Sequence, residues 1–489
     1  MSKLSSLASD TVVYGASTIL GRVLNWLLMP FYIRIIPKYE YGEVVNTYSI
    51  IAILLVLVTL GFETGYFRFV TTSNRNILFN TLSVTIFLFG SFITLLLSFF
   101  SDFFSSIFQF NSSSFSIILL LSLIVLVDSY NSIYFADLRF EKKSIKYSLL
   151  RLLQVILTII LNIIFLFYLR YLNFFGIDFS SFGDVQYILL ANLLGSVSSL
   201  FFFLPAYLKS PKIFDFNILK SILVYCIPLV GMGFFGIANQ EIEKLLIPVL
   251  DNSSDPHAQL AIYGANFKIG VLMAIFTQSF RLAFEPFFFK ENKSKNTNTQ
   301  LYADAMKYFV IFGLLIFASV ILFLPFISLF LTSSYLEGNI VIPIILLSQL
   351  LFGIYYNLSI WYKLTDKTYF GIIFSCSGLL VNIVVNFYLI PIYGYVGAAI
   401  SSLISYFVMV ILSIVFGNKY YYINYPILKI LFLSLCTIGI TALFYYIMTI
   451  SKIYWLVWAV LGIFSILVLF YFTEKNNILK LLKYGKHKN

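Results

Sequence analysis

The chain has 489 residues, of which 60% are hydrophobic and 11% charged, with a net charge of +11 and a mean hydropathy of +0.93. A soluble domain carries about 25% charged residues, so this chain lacks the polar surface to face water on all sides, which excludes an ordinary soluble enzyme. The basic excess is spread over many short segments between apolar runs, the pattern of membrane topology and not of a nucleic-acid-binding face.

A hydrocarbon core of roughly 30 Å needs about 20 apolar residues per helix. Such stretches predict spans at 11–36, 41–69, 77–101, 114–138, 145–168, 184–208, 217–250, 258–288, 301–331, 337–362, 369–390, 394–417, 424–449 and 453–473. The expected class is all-α, a polytopic membrane protein of about 14 transmembrane helices. Runs such as IIAILLVLVTL do not alternate, which excludes a transmembrane barrel. Ser2 to Asp10 is short and polar, and the first span contains Arg22 without a small-residue cleavage site, so no cleavable signal peptide is expected. Cys226, Cys376 and Cys436 all fall inside spans and imply neither disulfide nor metal.

Basic residues collect on the cytoplasmic side. With both termini inside, the inner segments hold most of the 32 Lys and Arg, including Arg139, Lys142, Lys143, Lys146 and Arg151 between spans 4 and 5. The outer segments hold only Arg34, Lys38, Arg170 and Lys452. The expected location is therefore a plasma membrane, multi-pass, with both termini cytoplasmic.

The chain also resembles itself. Leu27-Leu28-Met29-Pro30 matches Leu245-Leu246-Ile247-Pro248, Tyr41-Gly42 matches Tyr263-Gly264, and Asn162 matches Asn386. Six spans per copy is an even number, so the two copies share an orientation and relate by a pseudo-two-fold axis along the membrane normal. The expected division is a six-helix bundle over 1–210, a second over 211–418, and two further helices with a basic tail over 419–489.

Three stretches carry a family likeness: YGASTILGRVLNWLLMPFYIRIIPKYEYGEVVNTYS, IYGANFKIGVLMAIFTQSFRLAFEPFFFK and VNIVVNFYLIPIYGYVGAAISSLISY. They resemble bacterial polysaccharide flippases of the Wzx type, within the multidrug/oligosaccharidyl-lipid/polysaccharide exporter superfamily. The third is the most specific, with Asn382, Asn386, Pro391, Gly394, Gly397, Ala398 and Ala399 in family-like positions. The resemblance implies a transporter, not an enzyme. Its implied activity moves an undecaprenyl-diphosphate-linked oligosaccharide, such as an O-antigen or exopolysaccharide repeat unit, across the bacterial inner membrane by alternating access. The implied partners are that lipid-linked substrate, membrane lipids, and a polymerase and glycosyltransferases of the same pathway; nucleic acid is not among them.

Charges at bilayer depth usually face a protein interior or a watery cavity. For an anionic, hydroxyl-rich ligand the candidate contacts are Arg22, Lys244, Lys268 and Arg281, since guanidinium binds phosphate bidentately. Arg22 has an alternative as an ion-pair partner of Glu63, and Arg281 as a local pair with Glu285 at i+4. Lys268 takes phosphate or pairs across the hairpin of spans 7 and 8. The ion-coupling candidates are Asp128, Glu63, Glu241 and Glu243. Asp128 has no basic residue within one turn, and its alternative is a hydrogen bond with Ser129, Asn131 or Ser132. Glu241 and Glu243 face different sides of one helix, so at most one need line a cavity. No cofactor is expected, and without a nucleotide-binding glycine loop the energy source is a proton or sodium gradient. The rival readings are a cation-coupled drug exporter of the same superfamily and a lipid II flippase.

Overall fold

The computed structural model describes residues 3–110, 114–168, 173–174, 177–178, 182–209, 213–292, 299–451 and 454–486. Helices run in chain order as α1 (Lys3–Ile35), α2 (Lys38–Val58), α3 (Phe62–Phe69), α4 (Arg75–Phe99), α5 (Ser101–Phe108), α6 (Ser114–Phe140), α7 (Ser144–Phe167), α8 (Asp184–Lys209) and α9 (Phe216–Leu250). They continue as α10 (Pro256–Asn292), α11 (Thr299–Leu322), α12 (Leu324–Ile327), α13 (Val341–Leu358), α14 (Ile360–Leu364), α15 (Tyr369–Tyr393), α16 (Tyr395–Tyr420), α17 (Ile427–Ile450) and α18 (Trp455–Lys486). The strand content among the described residues is one two-residue antiparallel pair, Asn173 opposite Asp178 and Phe174 opposite Ile177. The fold is all-α, as the composition requires.

Thirteen segments among the described residues are long and apolar enough to cross a membrane. The first predicted span falls on α1, whose residues 3–18 are described in backbone only. Large apolar side chains lie open on the helices, Phe99 and Leu428 more than 80% exposed, as lipid-facing positions demand. The chain is a multi-pass membrane protein.

Local chemistry sets the helix ends. Asn74 caps α4, its side chain accepting from the backbone N–H of Asn76 and Ile77. Asp215 caps α9 by accepting from Asn217 and Ile218. The second predicted span, 41–69, is not continuous: Leu60 and Gly61 both have positive φ, 51° and 65°. Glycine tolerates that conformation without a Cβ clash, and it separates α2 from the short α3. Pro228 and Pro248 sit inside the single helix α9, as is commoner in membrane helices than in soluble ones.

The chain forms two compact units, residues 1–268 with 369–405 and residues 269–368 with 406–489. In the first, Phe62, Tyr66, Leu78, Tyr134, Phe203 and Cys226 belong to one buried cluster, with Tyr134 stacked on Phe203 at 4.6 Å between centroids. Close approach elsewhere needs small residues, because lipid gives helices no hydrophobic reason to associate. A Cβ on Gly42 would overlap the backbone carbonyl of His257, so α2 and α10 pack nearly backbone to backbone there. The second unit is tied by ions as well as by packing. Buried Lys307 on α11 and Lys429 on α17 both pair with buried Glu474 on α18, at 2.9 and 2.5 Å.

Candidate functional site

Four helices of the first unit surround a polar cavity of about 350 Å³. α1 contributes Arg22 and Asn25, α6 contributes Asp128, α7 contributes Arg151 and Gln154, and α8 contributes Asn192. Arg22 stands about half-way along a membrane-length helix, where a guanidinium cannot easily reach water except through such a cavity. Gln154 is the hinge of the polar network. It accepts from Arg151 Nη1 at 3.5 Å and donates to Asp128 Oδ1 at 3.5 Å and to Ser196 Oγ at 2.9 Å. The Arg151 guanidinium also lies 3.9 Å over the Phe135 ring. Asn192 donates to the Tyr48 hydroxyl at 2.9 Å. Among the described lining residues two guanidiniums stand against one carboxylate, a net cationic lining with amide and hydroxyl groups around it.

The structure thus brings Arg22 and Asp128, two sequence candidates, to one cavity. Asp128 is held by Gln154 on α7, and Ser129, Asn131 and Ser132 are not its partners: Asn131 donates to Ser196 O and Ser132 to Ser129 O. Glu63 does not reach Arg22. It sits on α3 in an ion pair with Arg139, its side chain 48% exposed. Arg151 and Gln154 escape the sequence reading because Arg151 counts with the basic loop before it. Its position seven residues into α7, roughly 10 Å at 1.5 Å per residue, is the signal that separates it.

A second polar cluster lies on α9, α10, α15 and α16, also in the first unit. Asn239 and Glu243 on α9, and Asn382 and Asn386 on α15, each stand four residues apart and so share a face. Asn382 Nδ2 donates to Asn239 Oδ1 at 3.0 Å and lies 3.4 Å from Glu243 Oε2. Glu243 Oε1 accepts from the Tyr263 hydroxyl at 3.1 Å. Asn386 donates to Asn382 Oδ1 at 2.7 Å, and Ser405 to Asn239 Oδ1 at 3.0 Å. All are buried, and Asn386 Oδ1 has no partner among the described residues. A carboxylate gathered with amide and hydroxyl oxygens suits a proton or a monovalent hard cation. The motif VNIVVNFYLIPIYGYVGAAISSLISY supplied Asn382 and Asn386; their four-residue spacing was the readable signal, and their partners Asn239 and Tyr263 were not marked.

The remaining candidates separate. Glu241 faces away from Glu243: it pairs with Lys244 at 2.7 Å and accepts from Ser49 Oγ at 2.9 Å. Lys244 also lies 4.1 Å over the Phe267 ring, so it is committed within the fold. The Lys268 side chain makes no ion pair among the described residues, while its backbone carbonyl accepts from Trp26 Nε1 at 3.0 Å. Arg281, in the second unit, donates to the Tyr356 hydroxyl and lies 4.8 Å from that ring. The side chain of Glu285, its expected i+4 partner, lies outside the described residues. Among the described residues no group of three or more His, Cys, Asp and Glu gathers as a metal site.

Comparison with known proteins places this geometry. No curated protein sequence matches the chain. Among solved structures, an inward closed conformation of the lipid II flippase MurJ superposes with a TM-score of 0.75 at 16% identity, covering 96% of this chain and all of that one. An inward-facing MATE-family multidrug resistance transporter of the MOP superfamily superposes with a TM-score of 0.62 at 15% identity, covering 81% of this chain and 94% of that one. The MATE multidrug transporter DinF-BH gives the same TM-score and identity over 86% of this chain and 96% of its own. These likenesses show a shared fold. The profile of the family described as polysaccharide biosynthesis protein matches residues 7–291, more than half of the chain and the whole stretch carrying the cationic cavity, and the chain belongs to that family.

Proposed function

We propose that the protein is a flippase that carries an undecaprenyl-diphosphate-linked oligosaccharide across the bacterial inner membrane by alternating access, driven by a proton or sodium gradient. The observation that carries the reading is the net cationic cavity of Arg22, Arg151 and Asp128. A diphosphate presents paired anionic oxygens to guanidinium forks, and the amides of Asn25, Gln154 and Asn192 suit sugar hydroxyls. A volume of about 350 Å³ is that of a small-ligand site. It takes the diphosphate end of the substrate, not the whole oligosaccharide. The buried cluster around Glu243 takes the coupling ion. In this reading two six-helix bundles, residues 1–210 and 211–418, rock about a shared axis with both termini cytoplasmic, and residues 419–489 add two helices. The sugar substrate arrives from glycosyltransferases and leaves to a polymerase.

A drug exporter of cationic substrates is disfavoured by two guanidiniums facing one carboxylate. A lipid II flippase is favoured as a second reading by the full-length superposition on MurJ. The test is complementation, scored as surface polysaccharide in cells lacking their own polysaccharide flippase and as survival of cells depleted of lipid II flippase. Arg22→Ala and Arg151→Ala should each lose nearly all activity at normal membrane levels. Arg22→Lys should keep part of it, since charge survives and the bidentate fork does not. Normal surface polysaccharide from both alanine variants would remove the cavity from the mechanism, and rescue only of the lipid II strain would select the second reading.

A further inference from the structure

The basic turn between α6 and α7 and the start of α7 as far as Lys146 take no part in either polar site. Lys142 there adopts a left-handed backbone, φ 56°, which turns the chain sharply into α7. The carboxylate between the two helices is already engaged twice: Glu141 holds Lys143 at 2.6 Å and Arg75 at 2.7 Å. Lys142 and Lys146 are exposed and make no hydrogen bond or ion pair among the described residues. Beneath them lies a concave groove of about 600 Å³, rimmed by Lys142, Lys143 and Lys146 and walled by Leu149, Leu153 and Phe202. Ile145, Leu149 and Leu153 recur every four residues, so they form one stripe down α7. They are 68%, 61% and 40% exposed, and Phe202 on α8 is 49% exposed.

We propose that this groove is a binding site for an anionic phospholipid of the adjoining leaflet. Its phosphate sits among Lys142, Lys146 and Lys143, and an acyl chain follows the Ile145–Leu149–Leu153 stripe against Phe202. The shape of the site selects this occupant. The groove starts at a helix end, where the membrane–water boundary falls, and descends about 12 Å along α7 between residues 145 and 153. Its ligand is therefore charged at one end and apolar along the rest. A free phosphate satisfies the lysines and leaves the apolar wall without a partner. An acidic peptide matches the charge but not a wall that faces lipid. Lysines suit a headgroup because an ammonium is a compact point charge with no demand for planar geometry. Basic pockets between membrane helices are a recognised device for such headgroups.

The test is native mass spectrometry of the full chain in a neutral detergent, with phosphatidylglycerol or phosphatidylcholine of identical acyl chains added. The wild type should retain one phosphatidylglycerol in preference to phosphatidylcholine. Lys142→Gln with Lys146→Gln should weaken phosphatidylglycerol retention about thirtyfold and leave phosphatidylcholine unchanged. Leu149→Trp keeps every lysine and fills the groove, so it should also weaken retention by roughly tenfold or more. Lys367→Gln with Lys419→Gln removes equal charge elsewhere and should change nothing. Equal retention of the two lipids by the wild type would overturn the proposal. So would undiminished binding by the Leu149→Trp variant, which would reduce the effect to diffuse surface charge, or displacement of the lipid by an equimolar polyglutamate peptide.

Discussion

Substituting Glu243 by Gln separates charge from shape at the proposed coupling site. Glu243 is 2% exposed, and its two oxygens accept from Tyr263 and face Asn382. Glutamine keeps the volume and one acceptor but removes the negative charge. A monovalent cation about 4 Å from a carboxylate gains about 4 kcal/mol at an effective dielectric constant of about 20. Losing that attraction weakens cation binding about a thousandfold. At a cation concentration about 100 times the wild-type Kd, bound ion stabilises the fold by about 2.7 kcal/mol, and the same concentration stabilises the variant by under about 0.1 kcal/mol. The assay is thermal unfolding of purified protein in sodium chloride against choline chloride, at fixed ionic strength and at several pH values. Wild-type unfolding should shift upward with sodium or with protonation of Glu243, and Glu243→Gln should lose the sodium shift while keeping the acid arm that other carboxylates such as Glu141 supply. It should also insert and fold normally, because replacing a buried charge with a neutral isostere is often neutral or stabilising. A full wild-type ion response in Glu243→Gln, or undiminished gradient-driven transport by that variant, would refute the assignment.

Glu474→Ala should lower the stability of the second unit by about 3 kcal/mol, the low end of the cost of stranding a buried charge, because Asp304 still lies 3.3 Å from Lys307; the readout is the melting temperature by fluorescence-detected size exclusion. Burial raises the Glu141 carboxyl, but hydrogen bonds from Lys143 and Arg75 outweigh it and hold the group below the ordinary carboxylate range. Its contribution is therefore present at neutral pH and lost as pH falls from the usual carboxylate range of about 4.3 through its own lower value. Glu141→Gln should accordingly show a flatter acid arm in a plot of melting temperature against pH than the wild type. Reporter fusions after Asn111 and after Asn489 should report opposite sides of the membrane, and both on one side would break the fourteen-span topology.

Most of the helical architecture was readable from apolar length, because a bilayer imposes it. The break at Leu60–Gly61 was not. The run from Ile50 to Phe62 is apolar but for Thr59, so hydropathy carries straight across a backbone change that only φ reveals, and the pairing of Glu63, on the short helix beyond it, with Arg139 is hidden. Pairings between distant segments were equally hidden. Lys307 and Glu474 are 167 residues apart, and nothing local in either helix marks the other. Charge in a span did not distinguish one role from another. Glu241 and Glu243 look alike in sequence, yet one is neutralised by Lys244 three residues on and the other is buried among amides.

The cavity and the Glu243 cluster use different helices, and a transporter needs them to communicate. Coupling is a free energy shared between sites, so an ion that changes substrate affinity must itself be bound more or less tightly by the same factor when substrate is present. Within the first unit one contact joins the two helix sets directly and a second does so through α2, whose Tyr48 hydroxyl accepts from Asn192 of the cavity. Ser49 on α2 donates to Glu241 on α9, two residues before Glu243. Trp26 on α1, one turn beyond Arg22, donates to the backbone of Lys268 on α10, five residues after Tyr263. A ligand held by Arg22 pulls on the same turn of α1 that carries Trp26, and an ion held by Glu243 fixes the turn of α9 that carries Glu241. Both proposed ligands therefore act on helices that are hydrogen-bonded to one another, a contiguous route along which the two sites can share a coupling free energy.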